Sequence, residues 1–180
     1  MKIAITQRPT VINGFEYDAT ARGWYDLLPH HTLVPVTNHS IQTDIDFDML
    51  IISGGENTTE RNVVEQHYFE LAQEHSKPVL GVCHGAFFIN EYFGGTNKII
   101  DNHQNVEHSV FLEGRLQTVN SYHKLAINTL SKKLAVVSRD MSSTTEAFKH
   151  KKLPIWGLVW HPERMQEPVL PKDLKELLLG

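Results

Sequence analysis

The segment that most constrains the fold is Pro78-Val79-Leu80-Gly81-Val82-Cys83-His84-Gly85. An apolar run of strand length leads into a cysteine flanked at two positions' distance by glycines. His84–Phe93 follows, with apolar residues at helical spacing, and Gly94-Gly95 stops it. A run without a polar face suits a strand buried on both sides, the kind found in parallel sheets covered by helices. Gly-x-Cys-x-Gly between strand and helix is the cysteine form of a nucleophile elbow. Small residues around the cysteine let strand and helix pack closely about a sharp turn. The side chain then projects at the carboxyl end of the sheet. The helix N-terminus puts partial positive charge near the sulfur, which favours thiolate. The His84 N–H, free in the first helical turn, can face an oxyanion. The alternative for Cys83 is a small buried hydrophobe.

The rest of the chain reads consistently with a strand of this kind. Lys2–Thr6 predicts a buried first strand, and Phe15–Leu28 predicts a helix ended by Pro29. Thr32–Val36 and Phe47–Ile52 predict strands, the second running into Ser53-Gly54-Gly55, and Glu60–His75 predicts a helix. Beyond the elbow the character changes. Val110–Leu112, Leu116–Val119, Leu134–Ser138 and Thr145–Phe148 are short strand-like pieces between turn residues. Ile155–Trp160 predicts a strand leading into His161-Pro162-Glu163, and Pro171–Leu179 a closing helix. Alternating strands and helices imply an α/β protein with a mainly parallel sheet covered on both faces. The later strands suggest a small antiparallel extension.

At 180 residues the expected folded surface is ~8,900 Å², with about 70% of the unfolded surface buried. That supports a single domain over 1–180 with one good core. Seventeen basic against twenty-one acidic residues give a net charge of −4, which argues against binding nucleic acid. The one basic cluster, Lys149-His150-Lys151-Lys152, reads as a solvated turn. The single cysteine allows no internal disulfide. No run approaches the ~20 apolar residues of a membrane helix, and the N-terminal run is too short for a signal peptide. The expectation is a cytoplasmic protein without a membrane partner.

Two further segments bear on Cys83. Paired glycines at Gly54-Gly55 mark a tight turn, and they also let a backbone N–H face a developing negative charge. Trp160-His161-Pro162-Glu163 follows a strand. In an extended segment residues two apart share a side, so His161 can face the sulfur while Glu163 orients its imidazole. That is the base and orienting group of a Cys-His-Glu triad.

Taken in order, Ser53-Gly54-Gly55, Gly81-Val82-Cys83-His84-Gly85 and Trp160-His161-Pro162-Glu163 resemble the class I glutamine amidotransferase superfamily over nearly the whole chain. The resemblance implies a three-layer, flavodoxin-like α/β fold and cleavage of a γ-glutamyl amide by Cys83, His161 and Glu163. It assigns the oxyanion donors to the N–H groups of Gly55 and His84. It calls for no cofactor and no metal. Val119-Asn120-Ser121-Tyr122-His123 and Thr145-Glu146-Ala147-Phe148 are similar to the γ-glutamyl hydrolase branch, which implies that Asn120, Ser121 and Tyr122 lie beside the glutamyl group. Ile5-Thr6-Gln7-Arg8, Asn120–His123, Glu146–Lys151 and Trp160–Arg164 resemble a narrower group. That group hydrolyses γ-glutamyl-CDP-amidate during phosphoramidate decoration of bacterial surface polysaccharide.

Two positions depart from the family pattern. Phe87 and Leu125 stand where glutamines are common near the pocket, which weakens the case for free glutamine as substrate. Arg8, His103, His108 and Arg164 are candidates for holding phosphate or carboxylate of a small-molecule γ-glutamyl substrate. Two other readings remain open at this point. One is a glutaminase subunit passing ammonia to a separate synthetase partner. The other is a redox-sensing or binding module with a cysteine at the same elbow.

Overall fold

The computed structural model describes residues 1–42, 45–101 and 103–180. In chain order the strands are β1 (Lys2–Thr6), β2 (Arg8–Ile12), β3 (Phe15–Ala19), β4 (Thr32–Val36), β5 (Met49–Ile52), β6 (Val79–Val82), β7 (Thr96–Ile99), β8 (Gln104–Leu112), β9 (Arg115–Tyr122), β10 (Leu125–Thr129), β11 (Leu134–Asp140), β12 (Thr145–His150) and β13 (Ile155–Leu158). The helices are α1 (Arg22–Leu27), α2 (Thr59–Glu74), α3 (His84–Tyr92) and α4 (Lys172–Leu179), with a 3₁₀ turn at Pro162–Arg164.

Nine strands form one sheet in the order β4-β1-β5-β6-β13-β12-β11-β8-β9. The first five run parallel and the remaining four continue antiparallel. The fold is therefore α/β with a mixed sheet, and the antiparallel extension is four strands wide rather than small. Alternation along the short parallel strands decides the layers. Ile3, Ile5, Met49, Ile51, Leu80 and Val82 face one side, where α1 contributes Trp24 and Leu27 and α4 contributes Leu174 and Leu178. Ala4, Leu50, Ile52 and Val79 face the other, against Val64, Tyr68 and Phe69 of α2 and Ala86, Phe87 and Ile89 of α3.

The predicted helix over Phe15–Leu28 is corrected by the structure. Its first part is β3, paired antiparallel with β2 from Arg8↔Ala19 to Ile12↔Phe15, and only Arg22–Leu27 is helical. The physical reason is the turn Asn13-Gly14, with φ +53° and +81°. Two consecutive left-handed residues are what a two-residue hairpin loop requires. That Asn-Gly pair was the signal in the sequence for a hairpin. A second missed pairing joins β7 to β10. Among the described residues, no helix is long and apolar enough to cross a membrane.

Candidate active site

Strands β5, β6 and β13 lie side by side and parallel, so their carboxyl ends share one edge. At that edge Cys83 separates β6 from α3 with φ +51° and ψ −104°. A non-glycine residue held there is strained by ~1–3 kcal/mol, so its surroundings must hold it. The Cys83 N–H donates to the Leu158 carbonyl on β13 at 2.8 Å, and the Cys83 carbonyl accepts from Ala86 and Phe87 at 3.0 and 3.1 Å. A Cβ on Gly85 would stand 2.1 Å from the Ile52 carbonyl oxygen, so only glycine lets α3 sit directly over the end of β5.

Cys83 stays partly exposed. Its sulfur is nonetheless poorly solvated. Burial pushes the thiol up to about 11, and Glu163 acts in the same direction; the His84 N–H beside the sulfur and the Arg164 and Arg61 charges act against it. The thiol therefore needs a base to ionise at neutral pH.

His161 is the last extended residue before the 3₁₀ turn, and Glu163 lies inside that turn. The expected extended run through Glu163 is thus replaced by a turn that Pro162 favours at its first position. The turn still brings the two side chains together. His161 Nδ1 donates to Glu163 Oε1 at 2.7 Å, and both residues are buried. With Nδ1 carrying the proton, Nε2 of the neutral ring is the free lone pair. The ring lies on Gly54, where a Cβ would stand 2.4 Å from His161 Cε1.

Asn120, which the resemblance puts beside the glutamyl group, clamps the His161 backbone. Its Oδ1 accepts from the His161 N–H and its Nδ2 donates to the His161 carbonyl, both at 2.8 Å. Ser121 is fully buried, and its hydroxyl donates to the His103 carbonyl. Tyr122 is exposed and meets His161 edge-on at 5.6 Å, and the Arg164 guanidinium stacks over it at 4.8 Å. A groove of about 380 Å³ runs past Asn105, Asn120, Tyr122, Arg164 and Gln166. Gly55 takes φ +147°, and a Cβ there would strike Arg61 Nη1 and Arg8 Cβ. Arg8 thus stands beside the glycine turn, its Nε buried and unpartnered among the described residues. His103 and His108 gather elsewhere, around Glu146.

Sequence reasoning missed the buried ion-pair network beneath the turn. Arg61 and Glu65 on α2 are fully buried. Arg61 Nη2 donates to the Ser53 carbonyl at 2.6 Å, Nη1 to the Glu56 carbonyl at 3.2 Å, and Nε to Glu65 Oε1 at 2.7 Å. Glu65 also accepts from the Thr6 hydroxyl at 2.8 Å and from His84 Nε2 at 2.7 Å. One guanidinium therefore grips the glycine turn from both ends, and its carboxylate partner holds the first residue of α3. Burial raises the Glu65 pKa, but the His84 bond and the Arg61 charge outweigh it and hold the carboxyl below its ordinary value. The signal was Arg61-x-x-x-Glu65, an i,i+4 pair on a helix face that a mostly exposed reading would leave in solvent.

Comparison with known proteins accords with this geometry. Residues 19–178 match the family model Glutamine amidotransferase class-I. A γ-glutamyl-CDP-amidate hydrolase of Campylobacter jejuni is 30% identical, the match covering 91% of this chain and 90% of that protein. A glutamine-hydrolyzing GMP synthase subunit of Pyrococcus furiosus is also 30% identical, over 63% of this chain and 65% of its own length. A crystal structure of a glutamine amidotransferase from Thermotoga maritima superposes with a TM-score of 0.68 at 12% identity, covering 90% of this chain and 76% of that one. Both the sequence matched and the sheet-edge geometry lead to one assignment: the chain belongs to the class I glutamine amidotransferase family.

Proposed function

We propose that the chain hydrolyses a γ-glutamyl amide bond through Cys83, His161 and Glu163, with glutamate as one product. The observation that carries this reading is the 2.7 Å bond from His161 to Glu163, at the same sheet edge as a strained, partly exposed cysteine. A redox-sensing cysteine has no use for a buried base and its orienter.

In this mechanism the thiol proton passes to His161 Nε2 as the sulfur adds to the γ-carbonyl carbon. The oxyanion faces the N–H groups of Gly55 and His84, each donor lowering the barrier by about 3 kcal/mol. The C–N bond breaks as His161 returns the proton to the leaving nitrogen. Water then attacks the thioester and gives a proton to His161. The C–S bond breaks, glutamate leaves, and the sulfur recovers its proton.

The leaving group we favour is a nucleoside diphosphoramidate, making γ-glutamyl-CDP-amidate the substrate and surface polysaccharide biosynthesis the setting. The Campylobacter relative supports this. So does the groove beside His161, where Tyr122 offers an aromatic face and Arg164 a cation. Phe87 and Leu125 in place of pocket glutamines also favour a substrate other than free glutamine. The resemblance to the glutamine-hydrolyzing GMP synthase protein and to the carbamoyl phosphate synthase small chain favours a second reading, a glutaminase subunit serving a separate synthetase.

Glutamate release from γ-glutamyl-CDP-amidate and from glutamine, with Cys83→Ala as the blank, tests both. We expect fast release from the conjugate, little from glutamine and none from the variant. Equal turnover of glutamine would overturn the nucleotide substrate. Turnover near wild type in Cys83→Ala would overturn the nucleophile. Stimulation of glutamine cleavage by an added synthetase would favour the second reading.

A further inference from the structure

Behind the strand that carries Asn120 lies a second group of functional side chains. His103 precedes β8, His108 lies on β8, His123 follows β9 and Glu146 lies on β12. His103, His108 and Glu146 each offer a ligand atom within 4.8 Å of the others. His108 Nε2 is 3.4 Å from Glu146 Oε2, and His123 Nε2 is 3.9 Å from the same oxygen.

The backbone aims these residues inward. Ser138 of β11 pairs with Ala147 while Arg139 pairs with Thr145, leaving Glu146 as the extra residue of a bulge. Bulges re-aim a side chain and recur beside active sites. The β8–β9 register also shifts at Asn105, which takes φ +56°. The His103 carbonyl is pinned by the Ser121 hydroxyl.

Apart from the 3.4 Å approach of His108 to Glu146, the polar groups here leave one another unpaired. Glu146 is fully buried, and among the described residues neither carboxylate oxygen has a hydrogen-bond partner. His103 Nδ1, both nitrogens of His108 and Nε2 of His123 are likewise buried without one. The His123 ring is fixed: its Nδ1–H donates to the Leu125 carbonyl at 2.7 Å. In the neutral ring Nε2 is then a lone pair, and it faces a carboxylate. Two acceptors turned toward each other repel unless a proton or a metal cation lies between them.

We propose that His103, His108, His123 and Glu146 bind one divalent transition-metal ion of the zinc class. Imidazole nitrogens with one carboxylate suit Zn²⁺ or Co²⁺ rather than Mg²⁺. Neighbouring ligand atoms around tetrahedral zinc are about 3.3 Å apart at Zn–N lengths of about 2.0–2.1 Å. The His108–Glu146 separation already has that span, and His123 Nε2, 3.9 Å from the same oxygen, lies close to it. The His123–Leu125 bond is the outer-sphere support that metal-bound histidines use to fix their ring. The ion joins β12 to the β8–β9 hairpin, whose Asn120 clamps His161, so it is a positioning element for the base. Sequence spacing alone carried no such site, because its four residues span 44 positions, from His103 to Glu146.

The test is metal content and spectroscopy, independent of hydrolysis. Protein stripped with a chelator is titrated with Zn²⁺ and with Co²⁺, then gel-filtered and assayed for bound metal. We expect one equivalent retained, a raised melting temperature, and Co²⁺ visible bands of a tetrahedral nitrogen-oxygen site without a thiolate charge-transfer band. Cys83→Ala should keep the metal, while His108→Ala and Glu146→Gln should lose it. Substoichiometric retention in wild type overturns the proposal, as does a thiolate charge-transfer band, which places the ion on Cys83. If His108→Ala fails to fold, the wild-type Co²⁺ spectrum still decides between these outcomes.

Discussion

Cys83 joins a strained backbone to a thiol pushed up to about 11. The helix N-terminus alone does not overcome desolvation and the nearby Glu163 charge. In the proposed mechanism activation therefore falls to His161, whose tautomer is set by Glu163 and whose backbone is held by Asn120. This division of labour predicts the pH dependence of alkylation. Burial and Glu163 still oppose ionisation in His161→Ala, so its iodoacetamide rate should keep climbing about tenfold per pH unit through pH 10. In wild type the rate should level off at lower pH, where imidazolium shares the proton. A plateau at the same pH in both proteins would show that His161 does not ionise the thiol.

At the level of elements, α2 does more than cover the sheet. Its Arg61 and Glu65 tie the glycine turn after β5 to the first residue of α3. Removing one partner of a buried pair leaves the other charge uncompensated, so Arg61→Met should destabilise the protein by about 3–5 kcal/mol. Denaturant unfolding measures this. Glu65 also gives a pH signature. Its carboxyl is held below the ordinary 4.5, so its contribution is fully present above that pH and is lost as pH falls through its folded-state value. Between pH 6 and 3.5 wild type should lose more stability than Glu65→Gln. Equal losses would mean that Glu65 is not a charged partner in the fold.

For the molecule as a whole, the two sheet faces are closed unequally. The 16-residue α2 and nine-residue α3 cover one face, while the other depends on six-residue α1 and eight-residue α4, whose Leu174 and Leu178 are buried. Leu174→Ala should therefore cost about 2–5 kcal/mol, the range for a buried leucine that leaves a cavity, with activity per folded molecule retained. A cost below 1 kcal/mol would mean that α4 is dispensable to that core. The accessible surface is 9485 Å², somewhat above the ~8,900 Å² expected for this mass. The β2–β3 hairpin accords with the excess, since Val11, Ile12, Phe15 and Tyr17 are exposed on it.

The elbow, the glycine turn, the position of His161 and the parallel half of the sheet were legible in the chain itself. Each is a local pattern: an apolar run of strand length, a glycine at a close approach, a base next to a strand end. The hairpin at Asn13-Gly14 was equally local, and the helical spacing of Tyr17, Ala21 and Trp24 masked it. Other features depend on contacts between residues far apart in sequence. The buried roles of Arg61 and Glu65 emerge only as Thr6, Ser53 and His84 close around them. Asn120 reads as a substrate contact, and its grip on a backbone 41 residues away shows only in the fold. His103 and His108 read as candidates for phosphate or carboxylate, and the bulge that turns Glu146 between them shows only in the fold. Burial of a charge is decided by what packs over it, and periodicity along one segment carries no record of that. The sequence by itself thus determined most of the elements and the elbow that presents Cys83; only the tertiary structure decided which polar groups hold them in place.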